Sequence, residues 1–93
     1  MGQLEEARPL YEERLQADRE IDGDRDPDTL TSIYLLAYLL KKQGKLVEAI
    51  PYYTEELEGW VLLYGVDHQK TRGSAKRLVS TLREAGQREE AKA

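Results

Sequence analysis

The side chains in this sequence that could do chemistry are few, and their spacing does not make them converge. His68 is the single histidine and sits beside Asp67 in the run Gly65-Val66-Asp67-His68-Gln69. A metal needs ligands that close around it, which sequence neighbours do poorly, so His68 is read as a hydrogen-bonding residue at a helix start. Asp22, Asp24, Asp26 and Asp28 alternate through a loop in a way that superficially suits calcium. The EF-hand pattern wants glycine at its sixth position and a bidentate acid at its twelfth. Counted from Asp22, those positions hold Pro27 and Ile33, so the segment is read as a solvated acidic loop. Ser32, Ser74 and Ser80 have no base nearby in sequence, and Gly23 and Gly65 stand alone rather than in a phosphate-cradling run. Cysteine is absent, which removes a thiolate nucleophile, a thiolate zinc site and any disulfide. The expectation is a protein that is not an enzyme and holds neither metal nor cofactor.

Composition narrows the partners. Over 93 residues, 14 Lys and Arg face 18 Asp and Glu, a formal net charge of −4. That balance argues against nucleic acid, whose phosphates need a basic surface. The longest apolar run, Ile33 to Leu40, is far below the roughly 20 residues needed to cross a bilayer. MGQLEEARPL has no basic segment followed by an apolar one, so no secretory signal is read there. Membrane insertion is not expected, and the cytoplasm is the default location. A chain of this length forms one small domain with a thin core.

The elements that would position any site are set by a repeat. Gly2, Gly44 and Gly86 are spaced by 42 residues. At that offset GQLEEARPLYEERL aligns with GKLVEAIPYYTEEL and with the closing GQREEAKA. Leu4/Leu46, Ala7/Ala49, Pro9/Pro51, Tyr11/Tyr53 and Leu15/Leu57 are identical pairs, as are Gly23/Gly65, Thr29/Thr71, Ser32/Ser74 and Leu40/Leu82. Matches in register over three copies identify a repeat protein.

Each period is helical. Leu4, Ala7, Leu10, Tyr11 and Leu15, and again Leu46, Ala49, Tyr53 and Leu57, form the stripe of an amphipathic helix. Asp22 to Asp28 and Gly65 to Gln69 are the breakers. Asp26-Pro27 reads as an N-cap with proline at the first helical position. Gly44 and Gly86 read as helix ends, with Lys41 and Lys42 placed to suit the dipole. The predicted order is helix 4–21, helix 29–43, helix 46–64, helix 70–85 and a truncated helix over 87–93. Pro9 and Pro51 fall about a turn inside their helices, at the cost of one backbone bond each. Short connections make these helices antiparallel hairpins. Helix 29–43 is apolar almost all round, so it belongs in the middle of a stack.

Gly-x-Leu-x-Glu-Ala-x-Pro-x-Tyr, followed by a Gly-x-Asp-His-x-x-Thr loop, resembles the tetratricopeptide repeat. It is most similar to the 42-residue variety of kinesin light chains, longer than the ordinary unit of about 34 residues. The resemblance covers essentially the whole chain. It implies an all-α fold, an α-solenoid of helix hairpins in a right-handed superhelix, about two repeats long. It also implies a phase: a B helix at 4–21, a complete repeat over 29–64, an A helix at 70–85 and a truncated B helix. Repeats bury their faces on their neighbours. Neighbouring repeats or another subunit are therefore expected at both ends.

The same resemblance places a bound peptide on the concave face lined by A helices. By alignment those positions are Thr31, Tyr34, Tyr38, Lys41 and Lys42, then Lys76, Ser80 and Arg83. Tyr34, Tyr38 and Lys41/Lys42 also share a helix face by their spacing alone. A tyrosine-lined basic stripe suits an acidic protein segment; the other reading is that the tyrosines pack at the core edge and the lysines are solvated. One departure matters. Kinesin light chains resemble Leu-Asn-Asn-Leu-Ala in helix A, whereas this chain has Tyr34-Leu35 and Lys76-Arg77 there. Leu35 cannot grip a peptide backbone as an amide does, so cargo transport is not carried over. Trp60, Val61 and Leu62 replace the charged Asp18, Arg19 and Glu20 of the previous copy. They are either an interface centre, or Trp60 folds over the gap left by Gly59 or onto the following helix. Two functional classes result: an interaction module that binds a partner segment on the groove or the Trp60 patch, and a structural subunit or linker held by its open ends.

Overall fold

The computed structural model describes the backbone of residues 2–92 and the side chains of residues 5–89. Four helices succeed one another: α1 (Gly2–Asp22), α2 (Pro27–Lys42), α3 (Leu46–Tyr64) and α4 (Gln69–Lys92). The described residues contain no strand, and no helix among them is long and apolar enough to cross a membrane.

The boundaries come from local chemistry. Asp26 caps α2 by accepting the Asp28 N–H at 2.9 Å, with Pro27 opening the helix where its missing donor costs nothing. At the other end Gly44 turns left-handed at φ +82°. The Lys45 N–H then reaches the Leu40 carbonyl and the Gly44 N–H the Lys41 carbonyl, the paired bonds of a Schellman motif. His68 starts α4 as Asp26 starts α2: its Nδ1 accepts the Lys70 N–H at 3.1 Å. The two caps are one repeat apart, so the expected role of His68 at a helix start is the observed one.

The expected break at Gly86 is not there. A single helix, α4, runs from Gln69 to Lys92, so helix 70–85 and the segment 87–93 are one element as far as the described residues go; Ala93 lies outside them. Gly44 is pinned by its left-handed φ and by α3 folding back onto α2. Gly86 has no positive φ. The residues after it, Gln-Arg-Glu-Glu-Ala-Lys, are good helix formers without an apolar stripe to fold back. Arg88, just beyond Gly86, donates to the Gly44 carbonyl at 3.1 Å.

Each helix packs on the next: α1 on α2, α2 on α3, α3 on α4. As the all-round apolar pattern predicts, α2 is buried from both sides, with Leu30, Ile33, Leu36 and Leu40 essentially inaccessible. Each contributes roughly 1.5–3 kcal/mol by leaving water. Leu15 from α1 and Ala49, Tyr53 and Trp60 from α3 complete the core. Helices α2 and α3 approach closely at Gly59, where an added Cβ would fall 2.3 Å from Leu30 Cδ2. Tyr53 is 1% exposed; burial first, and the neighbouring Tyr34 second, push its phenol up to about 12.

Two layers result. On one side α1 and α3 are bridged by Arg8 to Glu48 at 3.0 Å and by a two-pronged Arg19–Glu55 pair, the longer bond 2.9 Å. The carboxylates of Glu55 and then Asp24 raise the Arg19 guanidinium further above its already high value. On the other side α2 and α4 lie beside each other, with α3 as the floor between them. Helical hairpins stacked in sequence order make this an all-α solenoid of about two repeats.

Candidate partner-binding groove

Helices α2 and α4 present polar side chains on one side. The guanidinium of Arg77 lies 4.4 Å over the Tyr34 ring, and Lys41 Nζ reaches Ser80 Oγ at 3.5 Å. Two clefts share Tyr34 and Arg77. The larger, about 600 Å³, is lined by Thr31 and Tyr34 of α2, Glu56 and Trp60 of α3, and Lys70, Gly73 and Arg77 of α4. The smaller, about 390 Å³, is lined by Tyr34, Tyr38, Lys41, Lys42, Tyr53, Arg77 and Glu84. Lys42 also rests 5.3 Å from the centre of the Tyr38 ring. Four cations and two carboxylates thus meet on this side of a chain whose net charge is −4.

At the floor of the larger cleft Glu56 is buried, with 2% of its side chain exposed. Its Oε2 accepts the Trp60 indole N–H at 2.9 Å and Arg77 Nη2 at 2.7 Å. A buried carboxylate without a counter-charge costs several kcal/mol, and Arg77 is what makes Glu56 tolerable. The pair is half-used: among the described residues Glu56 Oε1 and Arg77 Nε are shielded from water and have no hydrogen-bond partner.

The α2 positions read from the sequence (Thr31, Tyr34, Tyr38, Lys41, Lys42) do line these clefts. The α4 positions divide. Ser80 touches Lys41, while Lys76, Ser80 and Arg83 border a separate shallow groove of about 580 Å³ formed by α4 alone, with Val79 and Gln87. Arg77 of α4 reaches both Tyr34 and Glu56; sequence reasoning named it only as a departure from the family's helix A pattern, not as a groove residue. Glu56 was also missed, yet it had a signal: it falls on the buried stripe of Ala49, Tyr53 and Trp60, where an acid is out of place.

Trp60, Val61 and Leu62 do not form one patch. Successive helical residues point about 100° apart, and the structure turns Trp60 inward to 3% exposure while Leu62 stays 63% exposed. The indole does turn inward, but it is not what fills the gap at Gly59. Leu30 occupies the space beside Gly59, and the indole stacks on Tyr64 at 5.7 Å, which stacks on His68 at 4.3 Å. In the acidic loop, carboxylate oxygens of Asp22, Asp26 and Asp28 lie within 4.8 Å of one another. Partial desolvation and then repulsion from Asp26 and Asp28 push the Asp22 carboxyl up, while Asp26 is engaged as the α2 cap.

No curated protein sequence matches the chain. A family model described as tetratricopeptide repeat matches residues 1–59, which span α1, α2 and most of α3. With the 42-residue period, the Gly44 turn and the stacked hairpins, that match establishes that the chain belongs to the tetratricopeptide repeat family, whose members serve in general as protein-interaction modules.

Proposed function

We propose that the chain is a protein-interaction module that holds an acidic segment of a partner protein along the α2–α4 side. One observation carries this reading: Lys41, Lys42, Lys70 and Arg77 gather around Tyr34 and Tyr38 on an otherwise acidic chain. Aromatic faces give such a groove apolar contact area, and the cations steer a negative segment toward it. Binding of a fluorescein-labelled acidic peptide, monitored by anisotropy at low and high salt, tests it. Saturable binding that weakens with salt and is lost in a Lys41→Glu/Lys42→Glu variant is the expected result; binding unchanged by that variant overturns the groove reading.

A second reading has its own support. Val79 and Leu82 on α4 are 44% and 48% exposed, yet they occupy the repeat positions of Ala37 and Leu40, which α3 covers on α2. Faces of that kind suit a structural subunit or linker that docks end to end with another repeat or subunit. Sedimentation separates the readings: a monomer that binds the peptide favours the module, and association abolished by Leu82→Glu favours the subunit.

A further inference from the structure

Two sockets beside α4 repeat sockets that the molecule fills beside α2. The cleft of about 390 Å³ is lined in part by Tyr34, Tyr38, Lys41 and Lys42 of α2 and by Tyr53 of α3. One repeat later those α2 residues become Lys76, Ser80, Arg83 and Glu84, and all four line the groove of about 580 Å³ on α4. The tyrosine is what that groove lacks. Tyr52 of α3 lines another cleft with Leu15 of α1 and Leu36 of α2, and packs on the core to which they belong. The repeat counterparts of those two leucines, Leu57 and Leu78, are half-buried, whereas Leu15 and Leu36 are 5% and 1% exposed. Beside them Val79 and Leu82 are exposed, while their counterparts Ala37 and Leu40 have no accessible surface. On α2 one helix, α3, fills both sockets; on α4 no described residue does so.

The chain itself carries the piece that fits. At the 42-residue offset Tyr11 of α1 matches Tyr53, and Leu10 matches Tyr52. Leu10 is 65% exposed on its own chain, and Tyr11 is half-buried. We propose that α1 of a second copy docks antiparallel on α4 of the first, as α3 docks on α2, so that copies add head to tail. Leu10 of the incoming copy enters between Leu57 and Leu78, Tyr11 closes the groove of Lys76, Ser80 and Arg83, and the helix covers Val79 and Leu82. Charge selects this pairing over the symmetric ones. Residues 5–22 carry seven acids against three arginines, and residues 69–89 carry six bases against two acids. Joining α1 to α4 sets opposite charges together, whereas α4 on α4, or α1 on α1, sets like charges together. A contact between two different faces leaves one of each free after every addition, so it does not stop at a dimer. This deepens the reading of the chain as a subunit that docks end to end, and it rests on that reading.

Sedimentation of the full chain over a wide concentration range, at low and high salt, tests the contact together with two variants at exposed positions, Leu10→Glu and Leu82→Glu. The parent is expected to grow past a dimer as concentration rises, and to dissociate as salt screens the facing charges. Each variant would bury a carboxylate in the contact, and is expected to sediment as a monomer with the parent's melting temperature. Mixed one to one, the variants regain a single sound contact, α1 of the Leu82→Glu chain on α4 of the Leu10→Glu chain. They should then form a heterodimer about tenfold more tightly than either variant associates with itself. A mixture that stays monomeric, a parent that stops at a dimer, or association that strengthens with salt overturns the head-to-tail contact. Leu82→Glu associating as the parent does sinks both this contact and end-to-end docking through α4. Leu82→Glu monomeric beside an associating Leu10→Glu sinks α1 as the occupant and leaves docking through α4. A parent that is monomeric throughout overturns docking between copies and leaves the end-to-end reading to a different subunit.

Discussion

Two glycines inside helices should respond in opposite directions to the same substitution. Replacing a helix-interior glycine by alanine gains about 1 kcal/mol of helix propensity wherever the new methyl fits. At Gly73 it fits: the added Cβ meets only Arg77 Nη1, at 3.4 Å and at the end of a flexible side chain. Gly73→Ala should stabilise the chain by close to that amount. At Gly59 the same Cβ would lie 2.3, 2.8 and 3.1 Å from three atoms of Leu30, a residue with no exposed surface in α2. Overpacking of this kind costs about 1–3 kcal/mol. Three close contacts against an immobile neighbour belong to the upper part of that range, leaving Gly59→Ala destabilised by about 1–2 kcal/mol after the propensity gain. The variants should differ by about 2–3 kcal/mol, at roughly 4–8 °C of melting temperature per kcal/mol for a domain of this size. Urea and thermal unfolding by far-UV circular dichroism measure both. The cause is checked by a cycle with Leu30→Ala, whose cavity the Gly59→Ala methyl should partly fill, so that the double variant loses less than the sum. A Gly59→Ala protein as stable as the parent, or strict additivity with Leu30→Ala, rules out the steric account.

Other positions offer paired comparisons. Ser32 donates to the Asp18 carboxylate, whereas Ser74, its repeat counterpart, is buried with no partner among the described residues. Ser32→Ala should cost about 1–3 kcal/mol and Ser74→Ala should be neutral or stabilising; equal losses in urea unfolding would contradict this. His68→Asp should retain the α4 cap in the manner of Asp26, while His68→Ala should cost about 1 kcal/mol, read from the same unfolding curves. Tyr53 holds its proton to about 12 when folded, against about 10 when unfolded. Between those values the unfolded chain binds fewer protons, so stability is intact below pH 10 and falls as pH rises toward 12. Absorbance titration of the phenolates should show one of the six tyrosines ionising late; a single transition near 10 for all six would contradict its burial.

The architecture was largely legible in the sequence because the cues were local and repeated. Asp26-Pro27 and Gly44 each carry the bond that stops or starts a helix within a few residues, and the 42-residue offset repeats the Asp26 cap as His68. Gly86 misled for the same reason: a glycine ends a helix only when a later segment has something to fold onto. The groove was half legible. Tyr34, Tyr38 and the lysines share one face of one helix, which spacing reveals. Which α4 residues meet them depends on how α4 rotates about its axis, and that is set by packing of α4 on α3. Alignment with the resembled family therefore selected Lys76, Ser80 and Arg83, while packing selected Arg77. Trp60 was open to two readings, interface or interior, because spacing alone does not show whether an indole has a partner inside; the bond to Glu56 supplies it.

A chain made of near-copies faces a sorting problem while it folds. The stripe of α1 nearly duplicates that of α3, and the start of α2 that of α4, so a collapsing chain could seat the wrong hairpin in a groove and still bury leucines. The departures from the period tell the copies apart. Asp18 accepts from Ser32, while one repeat later Trp60 donates to Glu56, which Arg77 also holds, and Ser74 has no partner among the described residues. Exchanging the hairpins would part Ser32 from Asp18 and leave the buried Glu56 without Arg77, a cost that the shared apolar stripe does not offset. The buried ionic pair thus acts as an address label, giving an otherwise interchangeable stack a fixed order of assembly.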